Sequence, residues 1–166
     1  MALSQARLRE LLHYDPKTGR FTWRADRCGG FIPRGAVVGW IDKSTGGRRR
    51  ITLDRVTYHA SRLAVLWVTG RLPSKNVDHI NGNCGDNRWI NLREATQSQN
   101  LGNSRATRGR ALPKGVHWDK QNNRYLAQIT VKRRNIFLGR FPTARAAHVA
   151  YMAAARKYFG EFARAR

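Results

Sequence analysis

The residues whose types and spacing could do chemistry are concentrated in one stretch, 77 to 100, which reads VDHINGNCGDNRWINLREATQSQN. Asp78 offers hard carboxylate oxygens for a divalent cation, and the adjacent His79 offers an imidazole that titrates near neutral pH and can act as a general base. With a cation, such a pair can activate water against a phosphodiester. That reaction needs a base, neutralisation of charge on the pentavalent phosphorus and help for the leaving oxygen. Neighbouring residues of a strand face opposite sides, so joint use of the pair requires a loop or a bent edge just there. Asn81-Gly82-Asn83 and Gly85-Asp86-Asn87 are suited to such a loop, being residues that tolerate left-handed backbone and cap it with side-chain hydrogen bonds. An Asp-His pair alone is commonly structural; the fuller spacing around it carries the signal.

The elements that must hold this stretch are legible on both sides. Upstream, Leu8, Leu11 and Leu12 fall on one face behind Ser4 as N-cap, which predicts a helix over 4–13. Asp15-Pro16-Lys17-Thr18-Gly19 is turn chemistry leading into a strand with Phe21 and Trp23. Strands are expected at 37–41, 48–53 and 56–58, separated by Gly- and Asp-containing turns, so the first seventy residues read as a small antiparallel sheet. Arg48, Arg49 and Arg50 form its basic edge, either a solvated face or a set of phosphate contacts. Leu63, Leu66 and Trp67 then repeat at helical spacing and stop at Gly70 before Pro73. His59 and Arg62 lie near the start of that helix, in a structural role by default and in contact with nucleic acid as the alternative.

Charge narrows the partner. Thirty-two Lys and Arg against ten Asp and Glu leave +22, which repels itself unless a polyanion shares the space, and nucleic acid is the first candidate. No basic amphipathic helix with a large apolar face and no lipid anchor motif points to a membrane surface instead. The N-terminus MALSQARLREL lacks an apolar run of signal-peptide length, so the protein is expected in the cytoplasm. Cys28 and Cys84 match no paired-cysteine motif, so no structural zinc is expected. Residues 73–100 hold three basic and three acidic side chains, an electrically balanced island in a basic chain. That balance suits a cation site between phosphate-gripping flanks, or is chance in a short window.

Asp78-His79, eleven residues, Asn91, eight residues and Asn100, with the Asn-Gly-Asn loop, Asn91-Leu92-Arg93 and Ser98-Gln99-Asn100, resemble the HNH endonuclease family in its phage and intron-encoded homing branch. The resemblance implies two short antiparallel strands and a helix clasping one Mg²⁺ or Mn²⁺ ion. Asp78 and Asn100 would ligate the ion, His79 would activate water, and Asn91 would fix the loop and the orientation of His79. Asn100 stands where many members have His, a variant of the homing branch. YDPKTGRFTW, the helix from His59 to Trp67 and Thr69-Gly70-Arg71-Leu72-Pro73 also look like the region preceding the core in phage relatives.

Past the core the composition changes. Residues 101–113 are small, polar and basic, and Arg105, Arg108 and Arg110 would track a DNA groove or simply solvate a tether. From Lys114 three alternating strands and an Ala-rich helix over 144–159 follow, with Thr143 as N-cap and Ala147, Ala150, Tyr151, Ala154 and Tyr158 as the packing face. Lys114-Gly115-Val116, Ala127-Gln128-Ile129, Phe137-Leu138-Gly139-Arg140-Phe141 and the alanine run ending at Tyr151 resemble the ethylene-response-factor type DNA-binding domain of plant transcription factors. This resemblance implies a sheet laid in the major groove, its free face basic, with Lys114, His117, Trp118, Lys120, Arg124, Gln128, Thr130, Arg134 and Arg140 as contacts. Arg to guanine and Gln to adenine would read bases, and Lys would hold phosphate. Trp118 and Phe137 are equally read as hydrophobic residues, and His117 and Thr130 depart from the plant pattern.

The expected fold class is therefore α+β. A nuclease domain over 1–103 combines a small N-terminal β-sheet with a ββα-metal core at 73–103; a basic linker covers 104–113; a three-stranded antiparallel sheet packed on one helix covers 114–166. The expected function is metal-dependent cleavage of double-stranded DNA by a monomer in a bacterial host, with a catalytically inactive DNA-binding regulator as the alternative.

Overall fold

A computed structural model describes residues 3–103 and 112–163. Arg105, Arg108 and Arg110 therefore lie outside the described residues. By contact density the chain divides into two units, residues 1–94 and 95–166.

In the first unit, α1 (Gln5–Leu11) starts at Ser4, whose hydroxyl accepts from the Arg7 N–H at 3.1 Å, a side-chain N-cap. It runs directly into β1 (Leu12–Asp15), which pairs antiparallel with β2 (Arg20–Trp23). The connecting turn is closed by Asp15, which accepts from the Lys17 N–H and the Thr18 hydroxyl. Leu8, Leu12, Tyr14 and Phe21 point inward and join Ile51, Leu53, Leu63 and Leu66 in one core.

The expected strand at 37–41 is split. Residues 35–38 bond back to β2 through Gly35 N–H to Trp23 O, Trp23 N–H to Ala36 O and Val38 N–H to Phe21 O. Only β3 (Trp40–Asp42) joins β4 (Arg48–Leu53). Gly39 makes the switch: its φ is +85°, and a Cβ there would lie 2.2 Å from the Arg50 carbonyl oxygen. Only glycine permits that approach. The result is a hairpin and a separate three-stranded sheet of order β3-β4-β5, with β5 at Val56–His59. Ile51 and Leu53 face the core, while Arg48, Arg50 and Thr52 alternate onto the other face. Next, α2 (Ala60–Thr69) buries Leu63, Ala64 and Leu66 and ends at Gly70 with φ +79°. β6 (Asn76–His79) and β7 (Leu92–Ala95) form a two-stranded sheet.

The second unit begins with α3 (Gln97–Asn103). Thr96 and Gln99 cap it reciprocally, Gln99 Oε1 accepting the Thr96 N–H at 2.8 Å and Thr96 Oγ1 accepting the Gln99 N–H at 3.3 Å, a capping box. β8 (Val116–Asp119), β9 (Arg124–Val131) and β10 (Arg134–Phe141) form an antiparallel sheet of order β10-β9-β8, with a bulge between Phe137 and Gly139. α4 (Ala144–Phe159) covers one face, capped by Thr143. Its buried stripe is Ala147, Tyr151, Ala155 and Phe159, a strict four-residue spacing. That corrects the expected face: Tyr158 is 42% exposed and lies beside Lys157.

The β1–β2 turn bears directly on the stretch that holds the candidate site. Gly19 has φ +72°, and a Cβ there would lie 2.4 Å from Arg88 N and Asn87 C; the Trp89 N–H also donates to Pro16 O at 3.0 Å. Gly19→Ala is expected to destabilise the first unit by about 1–3 kcal/mol, combining backbone strain and overpacking. Urea unfolding of the full chain measures this, and an unchanged midpoint would show that the turn does not buttress the 86–89 segment.

Candidate active site

Asp78 and His79 close β6, and both are buried at 4% exposure. They are the last two residues of the strand, where the chain enters the loop, and each finds a different partner. Asp78 Oδ2 lies 3.0 Å from Arg93 Nε on β7, in a pair whose side chains are 5% and 14% exposed. His79 Nε2 lies 3.2 Å from Asn87 Oδ1 in the following loop. The Asn87 amide donates its Nδ2 to Gly85 O at 3.3 Å, which leaves Oδ1 to accept from the imidazole and puts the ring proton on Nε2. The Asn87 carbonyl in turn receives the buried Tyr14 hydroxyl at 2.7 Å.

Asn91 organises the loop between β6 and β7. Its Oδ1 accepts the Asn81 N–H at 2.9 Å, and its Nδ2 donates to Asn81 Oδ1 at 3.1 Å and to Asp86 O at 2.8 Å. The Ile80 N–H bonds to Asn91 O at 2.9 Å, and Gly82, at φ +64°, bonds back to His79 O at 2.7 Å. Asn81 Nδ2 then donates to Asp86 Oδ2, whose carboxylate also takes a two-pronged contact from Arg88 at 2.8 and 2.6 Å. Those bonds, Arg88 foremost, hold the Asp86 carboxyl down at about 2. The polar Asn/Asp run is thus an exposed turn closed by its own side-chain hydrogen bonds.

Burial is the main cause that holds the His79 imidazole below its ordinary value. The Asn87 bond opposes the shift, Arg48 adds to it, and the carboxylates of Asp78 and Asp86 oppose it. His79 is therefore neutral at neutral pH, the state a general base requires. Arg48 reaches this neighbourhood because β4 starts beside the loop; a Cβ on Gly85 would lie 3.4 Å from Gly47 O.

Each arginine of the basic edge has an internal partner: Arg48 with Thr45 O, Arg49 with the Val38 and Gly39 carbonyls, and Arg50 with Asp42 at 2.7 Å. The charge balance of 73–100 has a similar account. Asp78, Asp86 and Glu94 are ion-paired with Arg93, Arg88 and Arg71.

Asn100 lies in α3, in the second unit, and its N–H bonds to Thr96 O. α3 is seated by Gly102, whose missing Cβ would lie 2.8 Å from the Phe159 ring. Lys114 donates to Leu101 O at 3.0 Å and Gly102 O at 2.7 Å, so this predicted phosphate contact satisfies the end of α3. The β8–β10 sheet sorts the other candidates by face. The register puts His117, Arg124, Gln128, Thr130 and Arg140 opposite the α4 side, where Gln128 bonds His117, Thr130 bonds Asn135, and Arg140 pairs with Asp119 above the Phe137 ring. Trp118 packs edge-on against Tyr125 and Arg134 pairs with Val131, both on the α4 side. Lys120 sits in the β8–β9 turn.

An Asp carboxylate and an Asn amide are hard oxygen donors, the set that suits Mg²⁺ or Mn²⁺ with waters and phosphate oxygens completing the shell. Among the described residues no three His, Cys, Asp or Glu side chains group as metal ligands. Cys28 and Cys84 are free thiols.

Sequence reasoning missed Asn87 as the partner of His79 and Arg93 as the partner of Asp78. The matched count of acids and bases in 73–100 was the available signal for the second. Nothing local signalled the first, because it depends on the loop closing.

Asn91→Ala removes three hydrogen bonds and leaves Asp86 O and the Asn81 N–H without their partner. A loss of about 1–3 kcal/mol is expected. Urea unfolding together with faster amide exchange at Asn81 measures it, and unchanged exchange there would remove Asn91 from its organising position.

Residues 58–101 match the HNH endonuclease family model, a span that includes His59, α2, β6, the loop, β7 and Asn100. No curated protein and no solved structure matches the chain. The matched segment supports a nuclease acting on nucleic acid.

Proposed function

We propose that the protein is a divalent-metal-dependent DNA endonuclease of the HNH homing type, directed to its site by the sheet of the second unit. The observation that carries the reading is the buried Asp78-His79 pair closing β6 inside the matched segment, with His79 neutral and fixed by Asn87. Asp78 and Asn100 would hold Mg²⁺ or Mn²⁺, and the ion would neutralise charge on the phosphate and assist the leaving oxygen. His79 takes the proton of the attacking water on Nδ1, since Nε2 carries its proton toward Asn87 Oδ1, and Asn91 keeps the loop that presents it. Double-stranded DNA in the bacterial host cytoplasm is the substrate, and the protein acts as a monomer. The open face of β8–β10, carrying Arg124, Gln128 and Arg140, reads the major groove as the ethylene-response-factor type domain does, with Arg105, Arg108 and Arg110 in the intervening segment on phosphates.

One observation favours a second reading, a DNA-binding regulator without catalysis. Arg93 already compensates the Asp78 carboxylate and would compete with a cation for it.

Nicking or linearisation of plasmid DNA with Mg²⁺ separates the two. His79→Ala is expected to lower cleavage at least 100-fold, in the range of a lost general base, with duplex affinity unchanged. Equal cleavage by the variant overturns the mechanism, and binding without cleavage by the native chain favours the regulator. For the reader face, Arg124→Gln is expected to weaken specific binding by about 1–3 kcal/mol and to relax the sequence preference at one base pair, as loss of an arginine-guanine contact does. An unaltered sequence preference removes Arg124 from the base-reading set.

A further inference from the structure

The first unit has a cavity of about 330 Å³ away from the Asp78-His79 pair, lined by His13, Trp23, Arg24, Arg34, Gly35 and Trp67 with Thr22. Three parts of the fold converge on it. His13 and Thr22 are cross-strand partners on β1 and β2, on the side of the hairpin turned away from buried Leu12 and Tyr14. Gly35 and Arg34 come from the return segment lashed to β2 by the Gly35 N–H to Trp23 O bond. Trp67 comes from α2, its carbonyl held by Gln5 and Arg9 at 2.7 and 3.0 Å.

The walls are aromatic and cationic together. The Arg27 guanidinium lies 4.7 Å from the Trp23 ring centroid and the Arg9 guanidinium 5.3 Å from that of Trp67, while the His13 ring meets Trp67 edge-on at 6.0 Å. The three acids nearest in sequence have their own partners: Glu10 pairs with Arg7, Asp15 accepts from the Lys17 N–H and the Thr18 hydroxyl, and Asp26 accepts the backbone N–H of Arg34 at 2.7 Å. No carboxylate lines the cavity. Arg24 donates Nη1 to the Arg9 carbonyl at 2.9 Å, which orients its guanidinium without removing the charge. The cavity therefore suits an occupant flat enough to stack on indole and negative enough to pair with Arg24 and Arg34. A nucleotide has both properties, since any base offers a π-face and its phosphate pairs with guanidinium. A cavity of this volume takes one nucleotide and not a length of duplex.

Building on the nuclease reading, we infer that this cavity binds a single unpaired nucleotide of the DNA substrate, its base against Trp23 and its phosphate on Arg24 and Arg34. The preferred substrate is then a duplex with a bulged, forked or extruded nucleotide rather than a perfect duplex. The nucleotide binds here and is not cleaved here; Asp78 and His79 remain the reacting site.

The test uses the full chain with Ca²⁺ in place of Mg²⁺ and three probes: a perfect duplex, the same duplex with one unpaired 2-aminopurine nucleotide, and free deoxyadenosine monophosphate. The unpaired probe is expected to bind about 10-fold tighter than the perfect duplex, within the range of one base stacked on an aromatic ring, and its fluorescence is expected to be quenched. Arg34→Gln combined with His13→Ser, both at exposed positions, is expected to bring the preference close to one. Trp23→Leu is expected to remove the quenching and Trp23→Phe to retain it; far-UV circular dichroism checks that each variant folds. Equal affinity for both duplexes, or a preference that survives the Arg34 and His13 changes, overturns the inference. Monophosphate binding as tight as the unpaired probe overturns its assignment to the DNA strand. Loss of all duplex binding by the native chain would instead refute the nuclease reading, a separate outcome.

Discussion

Asp78 and His79 are both buried at the end of one strand, and a buried polar group left without a partner costs about 1–3 kcal/mol, more when charged. Much of the first unit is arranged to meet that demand. β7 supplies Arg93 to Asp78. The loop supplies Asn87 to His79, and Asn91, Asn81 and Asp86 lock the loop. The β1–β2 hairpin in turn grips Asn87 through the Tyr14 hydroxyl and Trp89 through Pro16 O. The chemistry and the fold of residues 12–93 are one hydrogen-bonded system, so the upstream hairpin is part of the site's support and not an appendage.

Electrostatics adds a second layer. A surplus of +22 does not mean that every arginine is available to a polyanion, because many of the guanidiniums near the site have internal carbonyl or carboxylate partners. Such partners orient a guanidinium without removing its charge, so Arg48 still lowers the proton affinity of His79. Field and hydrogen bonding are thus separable: the fixed arginines set the potential around the site, while exposed ones such as Arg34 and Arg124 remain for direct contact. On the β8–β10 sheet Arg140 combines the two, oriented by Asp119 and Phe137 yet exposed on the open face.

Contact density puts α3 with the second unit. Ala95 packs in a core with Ile129, Tyr151 and Phe159, and Gly102 fits against the Phe159 ring. The helix that bears Asn100 therefore depends on α4 for its stability, and removing residues 114–166 would disturb it along with any DNA reader. Dissecting the chain by point substitution avoids that ambiguity.

Local signals determined much of this protein without reference to its fold. Ser4 and Thr143 as caps, Gly70 as a stop and the alternation of β4 and β9 all act within a few residues of themselves, so they are readable in one dimension. Tertiary structure alone decided what depends on the meeting of distant segments. Gly39 hands the chain from one sheet to another because the Arg50 carbonyl arrives beside it. The inward stripe of α4 runs through Ala155 and Phe159 instead of Tyr158 because a sheet and α3 lie on that side. Arg93 and Asn87 become the partners of Asp78 and His79 only once β7 and the loop close on β6. Pairing across strands and through closed loops is set by three-dimensional proximity, and spacing along the chain carries no record of it.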